Sequence, residues 1–400
     1  MFHRSVSLTG ILEEAGIKKQ KTSIKKVLFV THVMPHYRVA FHELVRKELG
    51  SRGIIYDVVC GLATDEELKK GDIGSLDSML TVPEFRVINS RGVLLYHPIY
   101  LRSFYYDLVI VTQENKYLLN YALQLSRPFR RGRLAFMGHG RNFQARNFDS
   151  IAERWKRFWA TKVDWWFAYT EETRDHIRSL GFSDSRITVI NNSVDLSKLR
   201  DQIAQITPER LELLRRELDI VGRNVGVFVG GLYPDKRLNF LVEAGRFIRT
   251  MIPDFELLVI GGGQDLQKLE QLAADLTWIR ILGPRFGTGK VELMLLGQVF
   301  MMPGLVGLAI LDAGATRLPI ATTDFPWHSP EISYLKPGEN GLLVEDWQNP
   351  VAYGQAVVDL LKDKNRLEAM ANAAEAMSRR FSIEAMAQNF ACGIFDVLKE

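Results

Sequence analysis

The sequence predicts an α/β protein built from two doubly wound, Rossmann-like domains. Short apolar, β-rich runs alternate with stretches of helical periodicity along the 400 residues, and polar or glycine-bearing turns follow these runs. Each half opens on such a unit: a strand at 26–32 precedes a helical pattern at 38–49, and a strand at 224–232 precedes one at 238–250. This alternation is typical of parallel sheets with helices on both faces.

Composition limits the class of protein. With 46% hydrophobic and 24% charged residues, the chain has an ordinary globular composition, and it contains no apolar run of about eighteen residues that would predict a spanning helix. The two cysteines, Cys60 and Cys392, lie far apart without metal-ligand spacing, which favours a reducing, cytoplasmic compartment. The basic segment 1–25 lacks the long apolar region of a signal peptide, so we expect none.

Charge is divided unevenly along the chain. Residues 1–200 contain 31 Lys and Arg against 21 Asp and Glu, whereas residues 201–400 contain 20 against 26. A basic first half indicates an anionic partner. Because no nucleic-acid recognition motif is present, we expect no nucleic acid as partner and predict contact with an anionic membrane surface instead.

One stretch makes the membrane prediction specific. Basic and aromatic residues cluster at Arg127, Arg130, Arg131, Arg133, Arg154, Trp155, Lys156, Arg157, Phe158, Trp159, Lys162, Trp165 and Trp166. Rings beside Lys and Arg suit a lipid headgroup layer. Alternatively, the helical spacing of Trp155, Phe158 and Trp159 predicts a buried helix face with solvated basic residues outside.

Two strand ends in the first half carry candidate binding residues, because ligands of doubly wound sheets bind beside the carboxyl ends of strands. The loop after the first strand contains His32, Pro35, Tyr37 and Arg38. A later strand at 133–138 ends in His139-Gly140-Arg141. A lone histidine is also a common structural residue, and that alternative stays open for His139.

A further candidate site lies within residues 301–346. A turn containing Gly304 and Gly307 leads into a helical run, and the free N–H groups at such a helix start suit phosphate. Asp312 follows about two turns further on, where a carboxylate can accept hydrogen bonds from sugar hydroxyls. Glu331 follows in a Pro-Glu-Ile turn, with His328 just before it. Alternatively, this stretch is an ordinary helix–strand connection whose glycines only make turns.

These residues resemble the donor-binding segment of the retaining glycosyltransferases of family 4, which have the two-domain GT-B fold. The family pattern is a Pro, then Glu-Gly-Phe-Gly-Leu, three residues, Glu-Ala, and later Gly-x-Pro and Pro-Glu. The chain matches it at Gly307, Leu308, Ala313, Pro319 and Glu331. It departs at both motif acids, which are replaced by Gly304 and the shorter Asp312. Because the family's acids hold the transferred sugar and the ribose, the departure concerns sugar selection more than nucleotide binding.

The resemblance implies roles for individual residues. Lys236 matches the lysine that clamps the donor diphosphate, whereas Gly231 replaces the clamp arginine, so that Arg237 or Arg285 would have to supply the second charge. The implied catalytic residues are His139, Lys236 and Asp312. The implied donor-binding residues are Gly230, Gly231, Lys236, Arg237, Gly304, Leu305, Val306, Gly307, Leu308, Asp312, His328 and Glu331. The implied acceptor-binding residues are His32, Pro35, Tyr37, Arg38 and Arg141.

The resemblance extends over nearly the whole chain from residue 26. It implies a GT-B architecture with an acceptor domain at 26–210, a nucleotide-sugar domain at 211–381, and a last helix at 382–400 that crosses back to the first domain. The implied reaction is transfer of a hexose-type sugar from a nucleotide sugar to a hydroxyl of a lipid-linked or growing surface glycan. Retention of configuration is expected, without metal or cofactor. We expect a cytoplasmic enzyme, peripheral at the inner face of the plasma membrane.

Two other classes remain open. A degenerate, non-catalytic protein that binds a nucleotide or partners a true transferase would explain the missing first acid. A nucleotide-sugar epimerase or a sugar phosphorylase could use the same two-domain body, although phosphorylases of this fold use a pyridoxal lysine in a far longer chain. Release of nucleoside diphosphate that depends on an added acceptor would distinguish the transferase from both classes.

Overall fold

The computed structural model describes residues 24–64, 68, 73–89, 92–141 and 151–399. The predicted basic segment 1–25 therefore lies outside the described residues except for its last two positions. The α/β prediction is confirmed, since two parallel sheets with intervening helices form the body of the protein.

A seven-stranded sheet forms the first half. Its strands and those of a small hairpin are β1 (Lys26–Thr31), β2 (Ile55–Gly61), β3 (Leu80–Val82), β4 (Phe85–Asn89), β5 (Gly92–Tyr96), β6 (Leu108–Thr112), β7 (Arg133–Gly138), β8 (Trp165–Ala168) and β9 (Ile187–Val189). Its helices are α1 (Val39–Ser51), α2 (Leu118–Ser126), α3 (Ile151–Ala160) and α4 (Glu171–Ser179). The parallel order is β3-β2-β1-β6-β7-β8-β9, and β4 pairs with β5 in an antiparallel hairpin.

The second half repeats this design with six parallel strands. The strands are β10 (Asn224–Val229), β11 (Phe255–Ile260), β12 (Ile279–Ile281), β13 (Val299–Met301), β14 (Ile320–Thr323) and β15 (Gly341–Val344), in the order β12-β11-β10-β13-β14-β15. The helices are α5 (Ser197–Gln205), α6 (Pro208–Glu217), α7 (Leu238–Met251), α8 (Leu266–Ala273), α9 (Gly287–Leu295), α10 (Ala309–Ala315), α11 (Pro350–Lys362), α12 (Lys364–Arg380) and α13 (Ile383–Lys399).

The central strands are continuous apolar runs because helices cover both faces of the sheet. In β11 every position is buried, including the single charged residue, Glu256. Its carboxylate accepts hydrogen bonds from the N–H groups of Val221 and Gly222, each at 2.8 Å, and pairs with Arg280 at 3.2 Å. The buried charge is therefore hydrogen-bonded and paired, as a charge in a protein interior must be.

The apolar cores divide at the linker between the halves. Ile190 packs in the first core, whereas Leu196 and Leu199 pack in the second. Helices α5 and α6 therefore contact the second domain, although the predicted boundary lies at 210/211. Helix α13 returns to the first domain, where the ring of Phe390 lies 4.5 Å from that of Phe167.

Candidate active site

A cleft of about 690 Å³ lies between the domains, beside the carboxyl ends of strands in both sheets. The residues predicted from the sequence that line it are Tyr37, Arg38, His139, Arg141, Gly307, Leu308 and Glu331. Lining residues that were not assigned a role include Glu114, Asn115, Lys116, Lys156, Tyr169 and Asn192. Three of these, Glu114 to Lys116, follow β6, so the strand-end rule was the signal that could have identified them.

A buried polar relay joins the two domains beside this cleft. Arg38 Nη2 donates to Asn192 Oδ1 at 2.5 Å, and Asn192 Nδ2 donates to Glu331 Oε1 at 2.5 Å. All three residues are buried. Burial raises the pKa of Glu331, while the amide of Asn192 and the charge of Arg38 oppose that rise. The linker residue Asn192 thus connects a first-domain cation to a second-domain carboxylate.

His139 lines the cleft as a neutral imidazole. Its ring stands at 88° to that of Tyr169, with the centroids 4.5 Å apart. Burial lowers the pKa of His139 to about 3, and the nearby charges of Lys156 and Arg38 act in the same direction. At neutral pH this side chain can therefore donate or accept a hydrogen bond but supplies no positive charge.

His328 holds the loop between β13 and α10 in place. Its Nδ1 accepts a hydrogen bond from the N–H of Val306 at 3.0 Å, so the ring proton is on Nε2, which donates to the Thr323 carbonyl at 2.8 Å. Both bonds require the neutral ring, because protonated Nδ1 could not accept from an N–H. Burial lowers the pKa of His328 to about 4, which maintains this state.

Gly304, where the family pattern has its first acid, is a point of close backbone approach. A Cβ atom at 304 would overlap the carbonyl oxygen of Asp235, and the same oxygen accepts a hydrogen bond from the N–H of Leu305 at 2.9 Å. An acidic side chain at this position would displace the backbone. The N–H of Leu305 donates inside the protein and does not face the cleft. The residues of this loop that line the cleft are Gly307 and Leu308.

Lys236 lies beneath the same loop. Lys236 is 5% exposed, and its Nζ donates to the carbonyl of Leu305 at 2.5 Å. Burial lowers the pKa of Lys236 to about 8. The neighbouring Arg237 lies with its guanidinium 4.1 Å from the ring centroid of Phe240 and 4.8 Å from that of Trp347. Neither predicted clamp residue is among the residues that line the cleft.

A second cavity, of about 560 Å³, lies at the carboxyl ends of β10, β11 and β12. It is lined by Val229, Gly230, Gly231, Ile260, Gly261, Gly262, Gly263, Pro284, Arg285, Phe286 and Lys290. Asp312 Oδ2 pairs with Lys290 Nζ at 2.9 Å, which places the predicted ribose-binding acid next to this cavity. Gly230, Gly231 and Arg285 were predicted from the sequence, whereas Phe286 and Lys290 were not.

Two predicted acceptor-binding residues, His32 and Pro35, make their contacts outside the cleft. His32 Nδ1 lies 2.5 Å from Glu84 Oε2, and the carbonyl of Pro35 accepts a hydrogen bond from the N–H of Arg38 at 2.9 Å. Neither is among the described residues that line the cleft, whereas Tyr37 and Arg38 of the same loop are. The loop therefore contributes its second half to the cleft.

The GT-B fold is defined by three features that are present here. Each of two doubly wound domains contains a parallel sheet, a cleft lies between the ends of their strands, and a terminal helix returns to the first domain. The predicted fold is confirmed. Residues 41–198 match the family model described as Glycosyltransferase Family 4, and residues 223–363 match the one described as Glycosyl transferases group 1. The predicted resemblance to family 4 glycosyltransferases is thereby confirmed for residues 41–198, and the second domain matches a glycosyltransferase model of group 1.

Relatives with assigned activities support the same class. The chain is 31% identical over 214 residues to the D-inositol 3-phosphate glycosyltransferase of Corynebacterium urealyticum, an overlap of 50% of this chain and 49% of that protein. It is 30% identical over 176 residues to the GDP-mannose-dependent alpha-(1-6)-phosphatidylinositol monomannoside mannosyltransferase of Mycolicibacterium smegmatis, covering 41% and 45% of the two chains. The chain thus spans about half the length of the curated relatives it matches.

Solved structures share the whole architecture. HepE from Anabaena in complex with UDP superposes with a TM-score of 0.68 at 16% identity, over 93% of this chain and 100% of that chain. A glycosyltransferase from Rickettsia africae superposes with a TM-score of 0.69 at 17% identity, over 94% and 100%. At these identities the likeness shows the fold.

Proposed function

We propose that this protein transfers a sugar from a nucleotide-sugar donor to a hydroxyl acceptor with retention of configuration. The observation that carries the proposal is the combination of a glycine-lined cavity at the ends of β10–β12 with a polar cleft between the domains. A nucleotide and a glycan acceptor need two such neighbouring spaces. The glycosyltransferase names of the relatives, and the UDP or UDP-glucose in the HepE structures, support a nucleoside diphosphate sugar as donor.

Positive charge for a departing diphosphate is available in the cleft. The basic residues that line the cleft are Arg38, Lys116, Arg141 and Lys156. The acidic ones are Glu114 and Glu331. We propose that first-domain cations compensate for the arginine that is absent at Gly231. Fixed charges in a partly enclosed cleft stabilise a developing anion because they need no reorganisation during the reaction.

The proposed reaction uses no protein nucleophile and no metal at the diphosphate. As the bond between the anomeric carbon and the diphosphate breaks, the leaving phosphate oxygen takes the proton of the acceptor hydroxyl. The hydroxyl oxygen bonds to the same face of the sugar, which retains the configuration. In this scheme Lys236 and the start of α10 stabilise the diphosphate, Lys236 from the side of the glycine-lined cavity, since its Cε lies 3.9 Å from the Cβ position of Gly230. Asp312 bonds the ribose. His139, as a neutral imidazole, and Glu331 contact the transferred sugar.

Nucleotide binding and turnover test this proposal separately. A thermal-shift panel of UDP, GDP, ADP and CDP should raise the melting temperature with one preferred base, because a ligand of the folded state stabilises it. Release of that nucleoside diphosphate from its sugar donor should then require an added glycan or glycolipid acceptor. Binding without acceptor-dependent release supports the non-catalytic alternative, and conversion of the donor sugar without release supports an epimerase.

We also propose that the first domain lies on an anionic membrane, where a lipid-linked acceptor is located. The exposed fractions are 84% for Phe129, 58% for Phe158 and 50% for Trp155, so a buried helix face is the wrong interpretation for the last two. Arg131 and Arg154 are exposed in the same stretch. In the described part of the chain no helix is long and apolar enough to cross a membrane. Peripheral attachment through charge and rings is therefore the proposed mode.

The membrane test must avoid arginines with structural contacts. Arg130 donates to Oγ and the carbonyl of Ser103 at 2.9 and 2.8 Å, and Arg127 pairs with Asp164 at 3.0 Å. Changing either would disturb the fold as well as the surface. Arg131 is the better target.

Vesicle co-sedimentation with Arg131→Glu plus Arg154→Glu tests the attachment. Each basic residue near an anionic surface contributes about 1 kcal/mol, so we expect at least a roughly tenfold loss of binding to phosphatidylglycerol vesicles and a steep loss with salt. Arg246→Glu plus Arg366→Glu is the matched control, since both are exposed arginines of the second domain. Equal recovery of both variants, or equal binding to neutral vesicles, would contradict the proposal.

A further inference from the structure

We propose that His32, Glu84 and His97 form a binding site for a divalent transition-metal ion such as Zn²⁺, separate from the interdomain cleft. His32 follows β1, Glu84 precedes β4 and His97 follows β5, so three segments supply one side chain each. One nitrogen of each imidazole and one carboxylate oxygen lie within 4.8 Å of one another. No metal was predicted from the sequence because it shows no acidic pair dedicated to a divalent ion, and these three residues lie far apart along the chain.

The ligand atoms have nearly the separation that a metal requires. Glu84 Oε2 lies 3.1 Å from His97 Nε2 and 2.5 Å from His32 Nδ1. In a tetrahedral Zn²⁺ site with bonds of about 2.0–2.1 Å, neighbouring ligand atoms are roughly 3.3 Å apart. The Glu84–His97 edge already has this length. The distance between His32 Nδ1 and Glu84 Oε2 has to lengthen from 2.5 Å by about 0.8 Å as the ion replaces the proton between them.

The surroundings of the ligand atoms also suit a metal. The Nε2 atom of His97 is buried and makes no well-aligned hydrogen bond within the described residues. Arg86 Nη2 lies 2.8 Å from Glu84 Oε1, so the guanidinium pairs with that carboxylate oxygen. The other oxygen, Oε2, faces the two histidines. Two imidazoles and one carboxylate form a common ligand set for Zn²⁺ and other first-row divalent ions.

Space beside the ligand atoms depends on Gly61 at the end of β2. A Cβ atom at this position would lie 2.7 Å from His97 Nε2 and 3.0 Å from Glu84 Oε2. The N–H of Gly61 donates to the carbonyl of His32 at 2.6 Å, which fixes the backbone from which that imidazole extends. A glycine here keeps room for an ion that a larger residue would fill.

A metal at this site would stabilise one wall of the cleft. The N–H of Leu95 in β5 donates to the carbonyl of Lys116 at 2.8 Å, and the ring of Tyr117 lies 6.2 Å from the rings of both histidines. The hairpin that leads to His97 is therefore attached to the cleft-lining segment after β6. The ion has a positioning role, and its binding does not depend on the proposed sugar transfer.

Metal binding by the full chain tests the proposal. Protein stripped with EDTA is titrated with Zn²⁺ against a chromophoric chelator, and separately with Co²⁺ while its visible absorption is recorded. We expect one ion per chain and Co²⁺ bands of a low-coordinate nitrogen and oxygen site. His97→Gln and Glu84→Gln should each weaken Zn²⁺ binding at least about a hundredfold, since the loss of even an outer partner of a ligand costs about 10–100-fold. His176→Gln, in α4 outside the cluster, should bind as the native chain does.

The outcomes separate a metal site from a hydrogen-bonded cluster. Zn²⁺ should raise the melting temperature of the native protein but not that of the Glu84→Gln variant. Absence of Co²⁺ bands in the native chain would overturn the proposal, and this measurement needs no variant to fold. Equal Zn²⁺ affinity of the His97→Gln and His176→Gln proteins would also overturn it.

Discussion

Replacing His328 by glutamine should remove a pH-dependent part of the stability. In the folded protein burial lowers the pKa of His328 from 6.5 to about 4, and the neutral ring accepts the Val306 N–H. Below pH 6.5 the unfolded chain binds this proton more readily than the folded chain does. The stabilisation is therefore fully present above pH 6.5 and is lost progressively as the pH falls toward 4. Each pH unit in that window corresponds to about 1.4 kcal/mol.

Between pH 7 and pH 5, the difference in unfolding free energy between the native protein and His328→Gln should shrink by about 2 kcal/mol. The other buried histidines titrate in both proteins and cancel in this difference. Urea unfolding followed by tryptophan fluorescence at both pH values provides the measurement. Ser329→Ala, a neighbouring change without a titratable group, should cost the same at pH 7 and pH 5. A difference between native and His328→Gln that does not change with pH would refute the assigned bonding of the ring.

Three further substitutions address the donor side. Lys236→Met should weaken nucleoside diphosphate binding, measured by calorimetry, about 10- to 100-fold, because a charge-assisted hydrogen bond contributes about 1.5–3 kcal/mol. In the native protein the same affinity should fall as the pH rises above about 8, where Lys236 loses its proton. Asp312→Asn should weaken nucleotide binding by about tenfold, or about 1.4 kcal/mol, and no change in Kd would separate Asp312 from the ribose. Gly304→Ala should lower the melting temperature by an amount equivalent to about 1–3 kcal/mol, because the Cβ of the new alanine would overlap the Asp235 carbonyl. An unchanged Tm would mean that the backbone shifts at little cost. The same overlap makes Gly304→Glu a test of folding rather than of sugar preference.

The main sheets could be predicted because their strands are apolar runs bounded by turns. The six residues of β11 are buried throughout, and a strand of this kind is recognisable without any knowledge of its neighbours. The short strand β3 and the hairpin of β4 and β5 were not predicted. Phe85, Val87 and Val93 in that hairpin are exposed, so no burial pattern distinguishes it from a loop. Helices α5 and α6 are rich in charge and resemble a linker in the sequence, although Leu199 and Leu214 pack in the second core; the predicted boundary at 210/211 lies within α6.

Part of the site could be predicted from strand ends, whereas Gly307, Leu308 and Glu331 were identified through the resemblance to family 4. His139 and Arg141 come directly after β7, and the structure places both in the cleft. Lys236 was predicted to clamp the donor diphosphate, and its burial depends on the loop that folds over it from Leu305. Asn192 bonds partners at positions 38 and 331, and contacts over such separations leave no local pattern in a sequence.

The passages of the chain between the domains explain why Glu331 has a fixed position. Ser193 Oγ donates to the carbonyl of Phe381 at 2.6 Å, so the two crossings of the chain are bonded to each other. Tyr334 stacks on Phe381 with centroids 3.9 Å apart and donates through its hydroxyl to the Asn192 carbonyl at 2.9 Å. Glu331 is thus bonded, through Asn192, to the point where the chain crosses between the domains. This network fixes the Glu331 carboxylate relative to both domains, because Asn192 also accepts a hydrogen bond from Arg38 of the first domain.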